Sequence, residues 1–284
     1  MTKIESLANV SFDEIFVAFS EAFVDYEMQL KKEELQNMLL RRGFVPELSF
    51  AAFEENKIVS FTLNGLAMFN GVKTAYDTGT GTLKDFRGKG LASKIFSHSV
   101  PLLRKAGVSQ YLLEVLQHNT KAVSIYRNME FVVSREFNYF MKKKDEVKLL
   151  NKTMNPEFTI ENIDLDICKT MLKFCDFEPS WQNSFESISR SINDFKILGV
   201  FHEQEIIAYC IFEPLSGDIT QIAVNKNFRR KGIATNLLKH VFESIQNNNV
   251  KVINTDVDCK SINEFLKANS FQPIGKQFEM INCL

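Results

Sequence analysis

Two hexapeptides half a chain apart share one pattern: Arg87-Gly88-Lys89-Gly90-Leu91-Ala92 and Arg229-Arg230-Lys231-Gly232-Ile233-Ala234 both read Arg-x-x-Gly-x-Ala. In 284 residues a period that long marks a duplicated domain, not a solenoid repeat. Each copy is approached from a short apolar strand, through Thr82-Leu83-Lys84-Asp85-Phe86 in the first and Val224-Asn225-Lys226-Asn227-Phe228 in the second. Each then opens an amphipathic helix. Whatever this chain folds into, it does so twice.

A helix start leaves backbone N–H groups without intrahelical partners and carries a partial positive charge, so a docked anion is stabilised on both counts. A diphosphate suits such a place. Gly88, Gly90 and Gly232 let the backbone come close to phosphate oxygens. The amides of Arg87 to Ala92 and of Arg229 to Ala234 form the expected cradle, and Arg87, Lys89, Arg229, Arg230 and Lys231 add cationic donors. Neither a dinucleotide Gly-x-Gly-x-x-Gly with its acidic partner nor a P-loop Gly-x-x-x-x-Gly-Lys-Ser/Thr is present.

The hexapeptide, preceded in the second copy by Ala223-Val224-Asn225-Lys226-Asn227-Phe228, resembles the acetyl-CoA signature of the GNAT superfamily of N-acetyltransferases. Asn119-Thr120-Lys121-Ala122-Val123-Ser124-Ile125-Tyr126-Arg127-Asn128-Met129-Glu130-Phe131 is similar to the family's Asn-x-x-Ala-x-x-x-Tyr-x-x-x-Gly-Phe segment, with Glu130 where the family has Gly. Aligning Phe271 with Phe131 places Leu266 opposite Tyr126 and Cys259 opposite Asn119. The resemblance implies a mixed α/β (α+β) fold of two tandem GNAT-like domains, each a bent sheet flanked by helices. It also implies acetyl-CoA as cosubstrate, an amine acceptor and no metal.

The same resemblance implies roles. Tyr126 would protonate the departing CoA thiolate, and Asn119 belongs to the cofactor segment. Backbone amides at Thr82 and Leu83, or at Val224 and Asn225, would hold the thioester and pantetheine. The amine's proton acceptor is open between Asp218, six residues before Val224, Tyr76 or Asp77 at the matching place in the first half, and bulk water through an ordered chain; strand alternation allows only one of Tyr76 and Asp77 to face a cleft. Since Leu266 replaces the acid in the second half, catalysis is expected in the first. Two-domain mycothiol synthases have a similar layout, although there the second domain is the active one.

Composition narrows the field. The chain is 45% hydrophobic and 24% charged with a net charge of −1, an ordinary globular balance without a nucleic-acid footprint. No run of about 18 apolar residues occurs, so membrane insertion is not expected and a cytoplasmic protein, monomeric or homodimeric, is. Its five cysteines all fall in the second half without metal spacing.

Local patterns predict helices over Phe12–Tyr26 and Lys31–Arg41 and a hairpin of Leu48–Phe53 with Ile58–Leu63. A further strand runs from Lys73 into the turn, followed by a helix from Leu91 to Lys105 capped near Gly107. The second half repeats the order, with helices over Ile163–Cys175 and Ser184–Asn193. The charged, core-poor stretch from Lys142 sets domains at 1–145 and 158–284 around a linker at 146–157. A non-catalytic acyl-CoA-binding or sensor protein is the competing reading, and the acceptor is not legible in the sequence.

Overall fold

A computed structural model of the chain describes residues 2–25 and 29–284. It divides into two compact units. The first holds the chain up to Val115, Asn119–Ser134 and Glu279–Leu284; the second holds Leu116–His118 and Arg135–Phe278.

The first unit runs β1 (Lys3–Ser6), α1 (Phe12–Ala22), α2 (Lys32–Arg42), β2 (Phe50–Glu54), β3 (Lys57–Phe69), β4 (Val72–Thr82), α3 (Leu91–Lys105), β5 (Gln110–Leu116), α4 (Thr120–Asn128) and the start of β6 (Val132–Lys143). Its strands lie in the order β1-β2-β3-β4-β5, antiparallel except for the parallel pair β4–β5. Helix α1 starts on a capping box, in which Ser11 Oγ accepts from Glu14 N and Glu14 Oε2 accepts from Ser11 N. Ile15, Ala18, Phe19 and Ala22 recur at helical spacing and pack with Leu35 and Leu39 of α2 onto Phe61 and Leu63 of β3. The predicted end of α1, Tyr26, lies outside the described residues.

Strand β3 extends well past the predicted Leu63 and turns at Asn70 and Gly71, both at positive φ, directly into β4. Asn-Gly is the favoured pair for such a two-residue hairpin.

The second unit continues with β7 (Thr159–Asn162), α5 (Leu165–Thr170), α6 (Phe185–Arg190), β8 (Lys196–His202), β9 (Glu205–Glu213), β10 (Asp218–Val224), α7 (Ile233–Ser244), β11 (Asn249–Asp256), α8 (Lys260–Ala268) and β12 (Pro273–Cys283). Within it the order is β7-β8-β9-β10-β11-β6, again with one parallel pair, β10–β11. Leu237, Leu238 and Val241 of α7 pack with Val250 and Phe271 in its core. The predicted helices over Ile163–Cys175 and Ser184–Asn193 shrink to α5 and α6, separated by single 3₁₀ turns at Leu172–Phe174 and Trp181–Asn183. Serine hydroxyls bond the backbone ahead of α6, where Ser184 Oγ and Ser187 Oγ both donate to the Trp181 carbonyl.

Each unit thus has a mixed sheet flanked by helices, as the repeat predicts. The membership of β6 and β12 is exchanged, Arg135–Lys143 going with the second unit and Glu279–Leu284 with the first. Charge and composition around residues 142–157 carry no signal of that exchange.

Before Phe131 and Phe271, Glu130 (φ 66) and Ser270 (φ 67) both sit in the left-handed region, which explains why the related segment prefers glycine there. A side chain in that conformation costs about 1–2 kcal/mol. Glu130→Gly is therefore expected to raise the unfolding free energy by about 1 kcal/mol, read by urea denaturation. A loss instead would mean that the Glu130 side chain makes contacts worth more than the strain.

Candidate functional site

In both units the strand before the turn carries an extra residue. Leu63 faces Gly79 and Asn64 faces Asp77, leaving Thr78 as a bulge, while Phe212 and Ile211 face Ile219 and Gln221, leaving Thr220. Beyond the bulge the parallel partner falls away. β4 pairs with β5 only through Tyr76↔Leu112, and β10 with β11 only at Asp218↔Lys251. A fork therefore opens toward each turn, bounded by unpaired strand edges.

The turns share one backbone. Gly90 (φ 70, ψ 19) and Gly232 (φ 79, ψ −1) are left-handed N-caps of α3 and α7. A Cβ on Gly90 would meet nothing within 4 Å and would stand in the open space before the helix start. At Gly232 it would stand 2.9 Å from the Thr153 carbonyl, because the chain between the halves crosses this helix start. The Lys152 carbonyl accepts there from Asn236 Nδ2 and Lys239 Nζ, each at 3.1 Å.

Several predicted cradle residues have structural partners. Arg87 donates from Nε to the Thr82 carbonyl, from Nη2 to the Ala22 carbonyl and from Nη1 to Asp25. Arg229 repeats this with Val224, Phe174 and Asp176. Both guanidiniums tie their turn to the preceding helical segment. Partial burial pushes the Asp176 carboxyl up, but hydrogen bonds from Arg229 and Ser261 hold it below the usual range. Lys89 and Lys231 lie over the Phe86 and Phe228 rings. Asn119 caps α4, its Oδ1 accepting from Ala122 N at 3.2 Å. Leu83 N donates to Val59 O and Asn225 N to Ile207 O, so these amides belong to the sheet. Antiparallel alternation turns the Thr82 and Val224 amides to the fork side.

At the first fork, Tyr126 on α4 donates its hydroxyl to Asp77 Oδ2 at 3.0 Å. Asp77 also accepts from Thr80 Oγ1 at 2.8 Å and from Gly79 N at 2.9 Å, the latter two made possible by the curl of the bulge. Burial pushes the Asp77 carboxyl above its ordinary value, against the three hydrogen bonds and the charge of Arg42. Burial first, and then Glu114 of β5, drive the phenol of its neighbour Tyr76 well up, while the Arg42 guanidinium, 6.0 Å from the ring, acts on both residues. Neither Arg42 nor Glu114 belongs to a motif in the sequence. A charge inside the apolar strand Gln110–Leu116 was the available signal.

The second fork opens into a cavity of about 640 Å³. Val224, Arg229, Arg230, Gly232, Ile233 and Ala234 are among its lining residues. Leu266 is buried, and the Asp218 side chain is buried at the foot of β10 and is not itself a cavity-lining residue, though Thr220, which does line the cavity, donates from Oγ1 to its Oδ2 at 3.3 Å.

Residues 12–131 and 167–265 match the Acetyltransferase (GNAT) family, one match to each half. The chain belongs to the GNAT acetyltransferase family. It is accordingly an acyltransferase, of a family that generally uses acetyl-CoA. It is 25% identical over 129 residues to N-alpha-acetyltransferase MAK3 of Arabidopsis thaliana, covering 43% of this chain and 68% of that protein. It is 23% identical over 142 residues to N-alpha-acetyltransferase 30 of Schizosaccharomyces pombe, covering 47% and 95%. A tandem GNAT protein from the clavulanic acid biosynthesis pathway shares the fold at a TM-score of 0.73 and 13% identity, over 100% of this chain and 98% of that one. Among the described residues of this GNAT chain, no group of three or more His, Cys, Asp or Glu is placed to hold a metal ion, and no helix is long and apolar enough to cross a membrane.

Proposed function

We propose that the chain is an acetyl-CoA-dependent N-acetyltransferase whose transfer step takes place in the first unit. The observation that carries this reading is the Tyr126 hydroxyl at the first fork, against buried Leu266 at the matching place in the second. The Gly90 cradle supports it, since open amides at a helix start fit a pyrophosphate and a Cβ would occupy that space. The Thr82 amide faces the fork, where it would polarise the thioester carbonyl. Acetyl-CoA supplies the activated acyl group. Tyr126 supplies a proton to the leaving sulfur, which would otherwise depart as a thiolate.

We assign the second unit a binding role. Its cavity and cationic rim suit a CoA, but its fork offers no acid at the Tyr126 position. The acceptor we propose is a primary amine, a small molecule first; peptide N-termini belong in the same panel because the curated relatives are named N-alpha-acetyltransferases. The test is steady thiol release from acetyl-CoA over that panel, with the acetylated amine identified by mass spectrometry. Tight CoA binding without thiol release on any amine would establish the sensor reading instead.

A further inference from the structure

The Tyr126 hydroxyl does more at this fork than wait for a leaving group, because its proton already points at a carboxylate. Asp77 Oδ2 accepts it at 3.0 Å, while Thr80 Oγ1 holds the same oxygen at 2.8 Å and Gly79 N holds Oδ1 at 2.9 Å. Three donors around one half-buried carboxylate fix its orientation. With its own proton directed to Asp77, the phenol oxygen can act toward other groups only as an acceptor.

We propose that Asp77 is a positioning residue for Tyr126: it holds the phenol at the fork and stores the hydroxyl proton while the phenol oxygen takes a proton from the attacking amine. This rests on the reading that the first unit carries the transfer. The amine nitrogen bonds to the thioester carbonyl carbon, and its surplus proton passes to Tyr126 Oη as the original Tyr126 proton passes to Asp77 Oδ2. The carbon–sulfur bond then breaks with its electron pair going to sulfur. Tyr126 protonates that sulfur and recovers the stored proton from Asp77. One proton has moved from amine to thiol, and both side chains end as they began.

The surroundings suit a carboxylate that changes protonation state. The titratable and charged groups that face Asp77 are Arg42 from α2, Tyr111 from β5, Tyr126 from α4 and Tyr76 beside it. Burial raises the carboxyl, which eases proton uptake; Arg42 and the hydrogen bonds keep the ionised form available.

The relay needs Asp77 ionised, so activity is lost as pH falls through its raised pKa. Below the pKa of the acceptor amine, log kcat/KM should fall with slope one as the amine protonates, and with slope two below the pKa of Asp77. Asp77→Asn should lower kcat about 100-fold or more, leave KM for acetyl-CoA little changed and keep slope one throughout. A merely structural role would cost stability without removing the second slope. A folded Asp77→Asn protein with wild-type kcat, or one that keeps slope two, overturns the relay. Should that variant not fold, Thr80→Val removes a hydrogen bond that favours the carboxylate, and the break to slope two should move to higher pH; an unmoved break overturns the relay equally. Tyr126→Phe separates the two ideas. If it retains full turnover, the assignment of the active unit fails; if it loses turnover and Asp77→Asn does not, only the relay fails.

Discussion

Tyr126→Phe is expected to lower kcat by about 100- to 10,000-fold while acetyl-CoA binding stays nearly intact. The hydroxyl acts in the transfer step and not in holding acetyl-CoA, so kcat and kcat/KM should fall together. The ring itself is retained, and with it the edge contact to Phe131 at a centroid distance of 5.7 Å. The fold should survive, since Asp77 keeps Thr80 and Gly79 as donors; loss of the third costs about 1–3 kcal/mol. Stopped thiol release with unchanged CoA affinity by calorimetry is the expected pair of results. Full turnover in the variant would remove Tyr126 from the mechanism.

Gly90→Val is expected to weaken CoA binding at the first turn at least about tenfold, the equivalent of about 1.4 kcal/mol. Nothing lies within 4 Å of a Cβ built on Gly90, so the added side chain has no protein neighbour to displace there and would take its volume from the proposed phosphate site. The left-handed N-cap makes the substitution strained as well, and a melting curve must accompany the titration. At Gly232 the same change also meets the Thr153 carbonyl, so part of its effect there is on folding. Undiminished affinity in both single variants and in the double variant would show that the pyrophosphate docks elsewhere.

The duplicated turn was legible because it is local: an Arg, two residues of backbone and a glycine at positive φ leave a mark in six letters. The Asn-Gly pair at Asn70-Gly71 was equally local, yet the long β3–β4 hairpin it builds was read as two separate pieces. The helical stretches around α5 and α6 were overestimated because apolar spacing does not distinguish a continuous helix from a short helix next to single 3₁₀ turns. Long-range partners left no mark at all. Arg87 and Arg229 look like phosphate ligands in the motif, and only the fold shows them bound to Ala22 and Phe174 carbonyls. Likewise, no spacing rule brings Tyr126 across 49 positions to the Asp77 carboxylate. The exchange of β6 and β12 residues between units is decided by pairing, which sequence period cannot reveal.

The division of labour between the units is tested most directly by comparing the turnover of two folded single variants, Tyr126→Phe and Gly232→Val, each checked by circular dichroism and melting. The account predicts that Gly232→Val retains more acetyl transfer than Tyr126→Phe. A Gly232→Val protein that folds but is inactive, beside a Tyr126→Phe protein with full turnover, would place the chemistry in the second unit and contradict it.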